Sequence, residues 1–315
     1  MSPEDARPGA AQHPPLLSII IINYNTHDLV RACLQSILLE VASMPQSHGN
    51  RLEVLVVDNC SKSAGIRDVI GELTSAFLSV QAHLELVESP ENLGFTGGNN
   101  LALRRARGRV LLLLNNDTLV HPGCLKACLR YLEQQPGVGI LGPRLLNADG
   151  SHQASCRSFP GFATALFNRH SLLTRWFPGN PWSRRYLRPD ASLATEPMDV
   201  DWVSGAAMFI TRRALAQVGL LDDAFFMYAE DVDYCLRAHE AGWKVQYFPQ
   251  ASITHLIGQS SATVPFRTTW WRHRSMWLYY RKHHSRRIAL FDAVTLLGIG
   301  ARCALNLGQS WVVRR

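Results

Sequence analysis

The sequence predicts an α/β protein with a single, Rossmann-like and mostly parallel sheet that is flanked by helices. Two observations support this fold class. Four runs rich in aliphatic residues, at positions 16–24, 52–59, 83–89 and 110–117, have the composition of strands buried in a parallel sheet. Helical patterns lie between these runs, as in folds that alternate strands with crossover helices. The 315 residues, 47% of them hydrophobic, suffice for one large core or two modest ones.

The predicted helices follow the strands in order. Residues 28–41 and about 64–78 have helical patterns, and a glycine-rich turn at 94–100 leads into the next helix. Gly94, Gly97 and Gly98 would let backbone amides approach a phosphate at the start of that helix, or they form only a tight turn. The dinucleotide fingerprint after the first strand and the P-loop motif are both missing. A dehydrogenase and a P-loop enzyme are therefore disfavoured.

Three of the predicted strands end in polar side chains. These endings are Asn23-Tyr24-Asn25, Asp58-Asn59 and Asn115-Asn116-Asp117. One such ending is explained by helix capping, a common role of Asn and Asp. Three of them at the carboxyl edge of a parallel sheet, where such sheets bind ligands, predict a functional site.

The second half of the chain is less regular. Residues 151–200 are aromatic, basic and broken by proline and glycine, which predicts a functional or mobile loop. Residues 198–215 predict a strand that runs into a helix. The following stretch, 219–243, places five acids around an aromatic cluster: Asp222, Asp223, Glu230, Asp231 and Asp233.

The net charge of +7 is concentrated at the C-terminus. Residues 266–315 carry ten Lys or Arg and one acid, Asp292, which is +9 and leaves −2 for the remaining chain. This favours an anionic surface or substrate and no nucleic-acid partner. The N-terminus lacks an apolar signal segment and the seven cysteines are odd in number, so we expect a reducing cytoplasm. Cys124 and Cys128 are interpreted as packed thiols rather than metal ligands.

An ordered set of segments carries a family resemblance: SIIIINYN, VLVVDNCSKS, ENLGFTGGNN, VLLLLNNDT, WVSGAAMFITRRAL, GLLDDAFFMYAEDVDYCLRAHEAGW and THLIGQS. Together they resemble glycosyltransferase family 2, whose members have the GT-A fold. The NND and FFMYAEDVDYCLR segments most resemble bacterial rhamnosyltransferases of cell-wall and O-antigen assembly. The resemblance implies three parts: a disordered tail at 1–15, a GT-A domain at 16–262 and a basic, amphipathic helical extension at 263–315.

The resemblance also implies a metal and donor site. Asp117 corresponds to the last Asp of the D-x-D motif, which holds Mg²⁺ or Mn²⁺ against the diphosphate of a nucleotide-sugar. Asn115 replaces the first Asp of that motif, which removes one charge. His255 matches a histidine that completes the metal site in some relatives, although a lone histidine is more often packed or on the surface. The implied nucleotide-sugar-binding set is Tyr24, Asn25, Asp58, Asn92, Gly97, Asn100, Asn116 and Asp117.

The same resemblance implies the catalytic group. Asp231 would act as the general base towards the acceptor hydroxyl. Glu230 would hold the acceptor or raise the pKa of Asp231 through like-charge repulsion. The EDVD segment also suits the start of a helix, where acids are favourable. Trp202, Gly205 and Phe226, with Phe225 and Tyr228, are candidates for the acceptor-binding wall or for the core.

The C-terminal extension predicts a helix at a membrane surface. Asp292 and Arg302 interrupt its apolar runs, so that neither run reaches the ~20 residues of a spanning helix. Polar residues recur at helical spacing and leave a wide apolar face, which is typical of a helix in a membrane interface. The alternative is a helix that covers the core or a homodimer partner.

These interpretations lead to one expected function. The chain would be an inverting, metal-dependent glycosyltransferase that moves L-rhamnose from dTDP-rhamnose to a lipid-linked saccharide or cell-surface polysaccharide. It would act at the inner face of the plasma membrane. A UDP-hexose or galactofuranosyl transferase is the alternative enzyme, and a non-catalytic GT-A scaffold that binds nucleotide or glycan is the alternative outside catalysis.

Overall fold

The computed structural model describes residues 15–44, 52–161, 186, 188–256, 265–285 and 288–312. Most of the predicted N-terminal tail, the centre of the loop predicted at 151–200 and the IGQS residues of the THLIGQS segment lie outside the described residues.

Within the described residues, the chain forms twelve strands, eight α-helices and a 3-10 helix at Pro189–Ser192. The strands are β1 (Leu17–Asn23), β2 (Leu52–Asp58), β3 (Ala82–Glu88), β4 (Val110–Leu114), β5 (Thr118–Val120), β6 (Val138–Leu146), β7 (His152–Gln153), β8 (Cys156–Arg157), β9 (Met198–Asp199), β10 (Trp202–Val203), β11 (Ala207–Thr211) and β12 (Lys244–His255). The helices are α1 (His27–Ala42), α2 (Gly65–Ser79), α3 (Gly94–Leu103), α4 (Cys124–Gln134), α5 (Arg212–Val218), α6 (Glu230–Glu240), α7 (Pro265–His283) and α8 (Ala289–Val312).

Most of the strands form one mixed sheet in the order β3-β2-β1-β4-β11-β6-β12-β5, with β7 beside β6 and β9 beside β12. Strands β3, β2, β1 and β4 are parallel neighbours, and β6 and β12 are also parallel to each other. β11 runs antiparallel between β4 and β6, and β5 runs antiparallel to β12. The predicted fold class of a mostly parallel, helix-flanked sheet is therefore confirmed.

The sheet has an apolar core on each face because successive strand residues point to opposite sides. On β1, Ile19 and Ile21 pack in the core that also contains α1 and α2 residues, whereas Ile20 packs in the core that contains α3 and α6 residues. All three are fully buried, and each contributes about 1.5–3 kcal/mol relative to an exposed side chain. Cys124 and Cys128 are buried in the first core with free thiols, as interpreted.

The C-terminal helices α7 and α8 pack together as a hairpin. Asp292 on α8 accepts hydrogen bonds from Tyr280 Oη (2.9 Å) and Ser285 Oγ (2.8 Å) and pairs with Arg281 (2.8 Å). Further along, Asn306 lies 3.4 Å from His273 of α7. At these positions the polar stripe predicted for α8 contacts α7. The outer side carries exposed apolar residues, among them Leu290, Phe291, Val294, Leu297 and Leu305.

Residues 289–308 of α8 are long and apolar enough to cross a membrane by length and composition, with a mean hydropathy of 1.4 and 11% of the segment buried. This corrects the expectation that Asp292 and Arg302 exclude a span on composition. Length and composition alone do not separate a span from a surface helix or a protein contact.

Candidate active site

Parallel register brings the three polar strand ends together. Asn23 at the end of β1 is paired with Asp58 at the end of β2, and Ile21 of β1 is paired with Leu114 at the end of β4. Asn116, just beyond β4, donates hydrogen bonds from Nδ2 to Ile22 O and Thr26 Oγ1, both at 2.8 Å. These endings thus form one edge of the site.

Tyr24, Asn25 and Asp58 lie on two loops that are cross-linked at this edge. Asp58 Oδ1 accepts hydrogen bonds from Asn23 Nδ2 (2.8 Å) and Ser61 Oγ (2.5 Å). Asn25 adopts a left-handed backbone, φ +57°, and its Oδ1 accepts from Lys62 N at 2.8 Å. The Tyr24 side chain remains 38% exposed, which leaves its ring available for stacking. Asp58 is therefore firmly oriented beside an open aromatic ring.

The glycine-rich segment takes a different form from the predicted turn. It forms the first turns of α3, which begins at Gly94 with φ +72°. A Cβ at Gly94 would lie 2.3 Å from Phe226 O, and the N–H of Phe95 donates to that same carbonyl at 2.8 Å. A Cβ at Gly97 would lie 2.8 Å from Cβ of Leu93. At Gly94 and Gly97 the missing side chains make room for protein atoms, so the phosphate interpretation is not supported there.

Asn92 and Asn100 have structural contacts in this segment. Asn92 Oδ1 accepts hydrogen bonds from Gly94 N (2.9 Å) and Asn59 Nδ2 (3.1 Å). The fully buried Asn100 donates to Leu221 O (2.9 Å) and Asp223 Oδ1 (2.6 Å) and accepts from Leu221 N (3.1 Å). Its side chain is therefore bonded to the loop before α6, and its contact with ribose or phosphate stays a prediction.

Asp117 and His255, far apart in sequence, lie side by side. The antiparallel pairing of β5 with β12 places Thr118 opposite His255, and Leu256 N donates to Asp117 O at 2.8 Å. As a result, Asp117 Oδ1 lies 3.2 Å from His255 Nε2. Asn115 Nδ2 lies 3.2 Å from the same ring nitrogen. An imidazole nitrogen and a carboxylate oxygen thus face each other, as two ligands of one divalent cation would.

Gln153 on β7 orients the His255 ring. Its Oε1 lies 2.7 Å from His255 Nδ1, while its Nε2 donates to Asn147 Oδ1 (3.0 Å) and to His255 O (3.1 Å). Because both contacts of the Gln153 amide nitrogen are acceptors, its amide oxygen must face the ring. Nδ1 then carries the proton, and the lone pair of Nε2 is directed towards Asp117.

The donor set fits a magnesium or manganese ion held jointly by protein and substrate. No third His, Cys, Asp or Glu joins Asp117 and His255 among the residues that the structure describes. Mg²⁺ in phosphate-transfer sites commonly takes one or two protein ligands, with substrate phosphates and water filling the octahedron. Two converging protein ligands at this sheet edge are consistent with that arrangement.

Asp231 contacts residue 205 of the segment before β11, and Asn115 contacts residue 206 of the same segment. Asp231 Oδ2 accepts a hydrogen bond from Gly205 N at 3.0 Å and its Oδ1 from Val232 N at 2.8 Å. The next residue, Ala206, accepts through its carbonyl from Asn115 N at 2.9 Å. The peptide segment 205–206 therefore connects Asn115, which lies beside Asp117 and His255, to the candidate base Asp231.

Glu230 is the buried member of the acidic pair. Burial first, and the neighbouring charge of Asp231 second, raise the pKa of Glu230 well above 4.5. Burial also raises the pKa of Asp231, whereas the Gly205 and Val232 amides oppose that change by stabilising its ionised form. Glu230 Oε2 has no hydrogen-bond partner within the described part of the chain.

The loop before α6, residues 222–229 and called the acceptor loop below, combines strain with tight support. Tyr228 and Ala229 both have left-handed backbones, φ +69° and +67°, at a cost of order 1–3 kcal/mol each. The loop is held from α7, where Ser275 Oγ donates to Met227 O at 2.8 Å and Arg274 donates to Ala224 O at 3.0 Å. This strain lies immediately before Glu230 and Asp231, where it fixes the direction of the first turn of α6.

The candidate acceptor wall is part aromatic surface and part core. Trp202 is partly buried, and its indole N–H donates to Ser158 O at 2.9 Å. Phe226 stacks on Trp271 of α7 with ring centroids 4.3 Å apart. Phe225 is 1% exposed in a small apolar cluster, so for this residue the core interpretation is correct.

Sequence reasoning missed several residues that build the site. Gln153 belongs to a two-residue strand with no recognisable pattern, and the contacts of α7 with the acceptor loop depend on tertiary packing. Asn59 binds the Asn92 side chain and the carbonyl of Gly94 and was named only as part of a strand ending. Its polar position after a buried strand was the available signal.

Comparisons with known proteins identify the family of this chain. A family model described as glycosyltransferase like family 2 matches residues 14–288. The chain is 32% identical over 175 residues to the N-acetylglucosaminyl-diphospho-decaprenol L-rhamnosyltransferase of Mycobacterium tuberculosis, a region covering 56% of each protein. It therefore spans a little over half the length of that curated relative. It is 22% identical over 294 residues to rhamnosyltransferase WbbL of Escherichia coli, covering 89% of this chain and 98% of the relative.

Solved structures show the same fold. The mannosyltransferase PcManGT from Pyrobaculum calidifontis, in complex with GDP-Man and Mn²⁺, aligns with a TM-score of 0.57 at 17% identity, over 96% of this chain and 81% of that one. GalNAc-T7 with UDP, GalNAc and Mn²⁺ aligns with a TM-score of 0.58 at 14% identity, over 91% of this chain and 55% of that one. Both are GT-A proteins, so the predicted GT-A fold is confirmed. Since the family model covers most of its length, the chain belongs to glycosyltransferase-like family 2.

Proposed function

We propose that this chain is an inverting, metal-dependent glycosyltransferase that transfers L-rhamnose from dTDP-L-rhamnose to a lipid-linked saccharide of a cell-surface polysaccharide. One observation carries the proposal: the 205–206 segment connects the Asp117–His255 pair, through Asn115, to the Asp231 carboxylate. The choice of rhamnose rests on the names of the two bacterial relatives, and the choice of a lipid-linked acceptor rests on the name of the Mycobacterium tuberculosis relative.

Asp117 and His255 would hold the divalent cation. When bound, Mg²⁺ or Mn²⁺ would neutralise charge that develops on the departing nucleoside diphosphate. Tyr24, Asn25 and Asp58 would contact the nucleoside, and Asn116 would brace the strand end that carries Asp117. Tyr24 offers an exposed ring for the base, and Asp58 is already oriented by Asn23 and Ser61.

Asp231 would remove the acceptor proton. The acceptor oxygen attacks the anomeric carbon, the bond from that carbon to the diphosphate oxygen breaks, and the hydroxyl proton passes to Asp231. The two amide N–H groups on Asp231 favour the ionised form that this role needs. Glu230 would position the acceptor, and Trp202 and Phe226 would line the acceptor side.

The protein would act at the cytoplasmic face of the plasma membrane, bound through the exposed apolar side of α8. Surface-near Lys and Arg add about 1 kcal/mol each on anionic lipid, and the first turn of α7 carries the exposed Arg267. The alternative is that the exposed apolar side of α8 binds a second copy of this chain in a homodimer.

Nucleotide release from dTDP-rhamnose and from UDP-sugars, measured with Mn²⁺ and a lipid-linked acceptor, tests this function. Asp231→Asn should bind donor normally and lose transfer by about 10²–10⁴-fold, since general-base catalysis contributes that range. Asp68→Asn, at an exposed position of α2, is the matched control. Protection by UDP without protection by dTDP would refute the rhamnose assignment, and unchanged transfer by Asp231→Asn would remove Asp231 from the mechanism. Donor binding without turnover by the wild type would indicate a scaffold.

A further inference from the structure

Three arginines from separate elements gather beside the acceptor loop. Arg157 on β8 has its guanidinium carbon 5.7 Å from the Trp202 ring and 5.9 Å from the Tyr186 ring. Arg272 on α7 lies 5.1 Å above the Tyr228 ring. Arg302 on α8 is close enough to Arg272 for that charge, after burial, to lower its pKa, and Tyr186 acts on it as well.

The donors of this cluster are not all paired among the described residues. Arg157 Nε is buried without a hydrogen-bond partner there, whereas Arg272 is exposed and lies over the Tyr228 ring. In contrast, Arg188, Arg237 and Arg281 each lie 2.8–2.9 Å from an aspartate. A buried guanidinium N–H without a partner costs free energy, and neighbouring like charges add to that cost. The cluster thus has the chemistry of a site for an anion.

The cluster lies on the acceptor side of the candidate active site. Arg157 is paired with Trp202 across the β8–β10 ladder, and Ser204 N donates to Ser155 O at 2.7 Å. Two residues beyond Val203, the amide of Gly205 binds Asp231, and the positive charge of Arg157 acts on that carboxylate. Tyr228, beneath Arg272, precedes Glu230 by two residues.

The helix that carries Arg302 also carries apolar residues exposed to solvent. Leu297 is 72% exposed and Leu305 is 67% exposed, on either side of Arg302 in sequence. Three groups therefore lie next to each other: the Asp231 carboxylate as the proposed base, the arginine cluster, and the exposed apolar residues of α8. A saccharide joined through a diphosphate to a polyprenyl chain has its three groups in the matching order.

We propose that Arg157 and Arg272, together with Arg302, bind the diphosphate that joins the acceptor saccharide to its lipid. This assignment rests on the proposed function and specifies the acceptor for it. Guanidinium groups bind phosphate oxygens through paired, charge-assisted hydrogen bonds, and a phosphate oxygen here would accept from the buried Arg157 Nε. Binding the diphosphate here places the saccharide towards Trp202 and Asp231.

The test compares two acceptors that carry the same saccharide, one joined through a diphosphate to a short polyprenol and one an octyl glycoside without phosphate. Arg157→Gln and Arg272→Gln should each raise KM for the diphosphate acceptor roughly ten- to hundredfold, the effect of losing one charged hydrogen bond. KM for the octyl glycoside and for the donor should stay unchanged. Arg157→Lys should give an intermediate KM, because it keeps the charge and loses the planar fork.

Arg213→Gln is the matched control, since Arg213 also stacks on an aromatic ring, Trp243 at 5.6 Å, near the opposite edge of the sheet. An equal rise of KM for both acceptors, or a rise for the donor alone, would overturn the assignment. Binding of the short polyprenyl diphosphate, measured calorimetrically without donor or metal, tests the cluster independently of turnover. Loss of this binding in both glutamine variants supports the assignment even if the wild type transfers no rhamnose, and undiminished binding overturns it.

Vesicles distinguish an acceptor phosphate from a lipid headgroup. Both glutamine variants should bind phosphatidylglycerol vesicles as the wild type does, because the proposed ligand is the acceptor. Loss of vesicle binding with an unchanged preference between the two acceptors would assign these arginines to the membrane surface and overturn the proposal.

Discussion

Replacing Gln153 with leucine should weaken divalent-cation binding without touching either proposed ligand. The substitution removes the only acceptor described for His255 Nδ1, a hydrogen bond of 2.7 Å, and also removes two donations from the Gln153 amide nitrogen. The imidazole is then free to rotate or to place its proton on Nε2. Either change removes the lone pair that faces Asp117 Oδ1 across 3.2 Å.

The expected loss is about ten- to a hundredfold in metal affinity, the usual effect of removing a hydrogen-bond partner of a ligating histidine. This corresponds to about 1.4–2.8 kcal/mol of binding free energy. Titration of Mn²⁺ in the presence of dTDP, followed by electron paramagnetic resonance, measures the affinity. Nitrogen-15 spectra of His255 report which ring nitrogen carries the proton.

Gln153→Glu is the informative companion variant. It keeps an acceptor for Nδ1 but places a carboxylate oxygen near Asn147 Oδ1 and His255 O, so it should lose thermal stability and keep the tautomer. Metal affinity should therefore follow the tautomer and not the melting temperature. Wild-type Mn²⁺ affinity in Gln153→Leu, with the proton still on Nδ1, would refute this reasoning.

Three other variants test different parts of the structure. Glu230→Gln should stabilise the protein at neutral pH, because folding raises the pKa of Glu230. The free energy of unfolding of the wild type therefore falls as the pH rises from 4.5 to that raised pKa, and the glutamine variant avoids this loss. An equal gain in melting temperature at all pH values would contradict this. Ser275→Ala should lower the free energy of unfolding by about 0.5–1.5 kcal/mol and reduce transfer, because it removes a hydrogen bond that holds the strained loop. The control Ser79→Ala removes a hydrogen bond from an exposed serine to a carbonyl of its own helix, so it should leave transfer unchanged. Deleting residues 288–315, which keeps α7, should move the protein from the membrane to the soluble fraction and preserve transfer to the octyl glycoside; retention in the membrane fraction would refute the role of α8.

One edge of the site could be predicted from the sequence because it depends on short local patterns. Polar residues directly after buried strands, combined with parallel register, suffice to place Asn23, Asp58 and Asn116 side by side. The pairing of Asp117 with His255 required family resemblance, since they lie 138 positions apart and an irregular register in β12 sets the final position.

Other features depended on packing that no short motif records. Asn100 looked like a polar residue at a helix start, but the loop before α6 covers it and consumes its hydrogen bonds. The glycines of α3 suggested a phosphate loop, yet the space at Gly94 is filled by a carbonyl of the acceptor loop. The polar stripe of α8 correctly indicated an amphipathic helix, although the polar residues Asp292 and Asn306 turn towards α7.

The close fit of Gly94 against Phe226 limits how acceptor preference can be re-engineered. A Cβ on residue 94 would overlap the Phe226 carbonyl, while Trp271 covers the same residue from α7. Residues 222–229 therefore cannot be exchanged as an independent cassette between relatives. A working chimera would have to transplant the start of α3 and the facing side of α7 along with that loop.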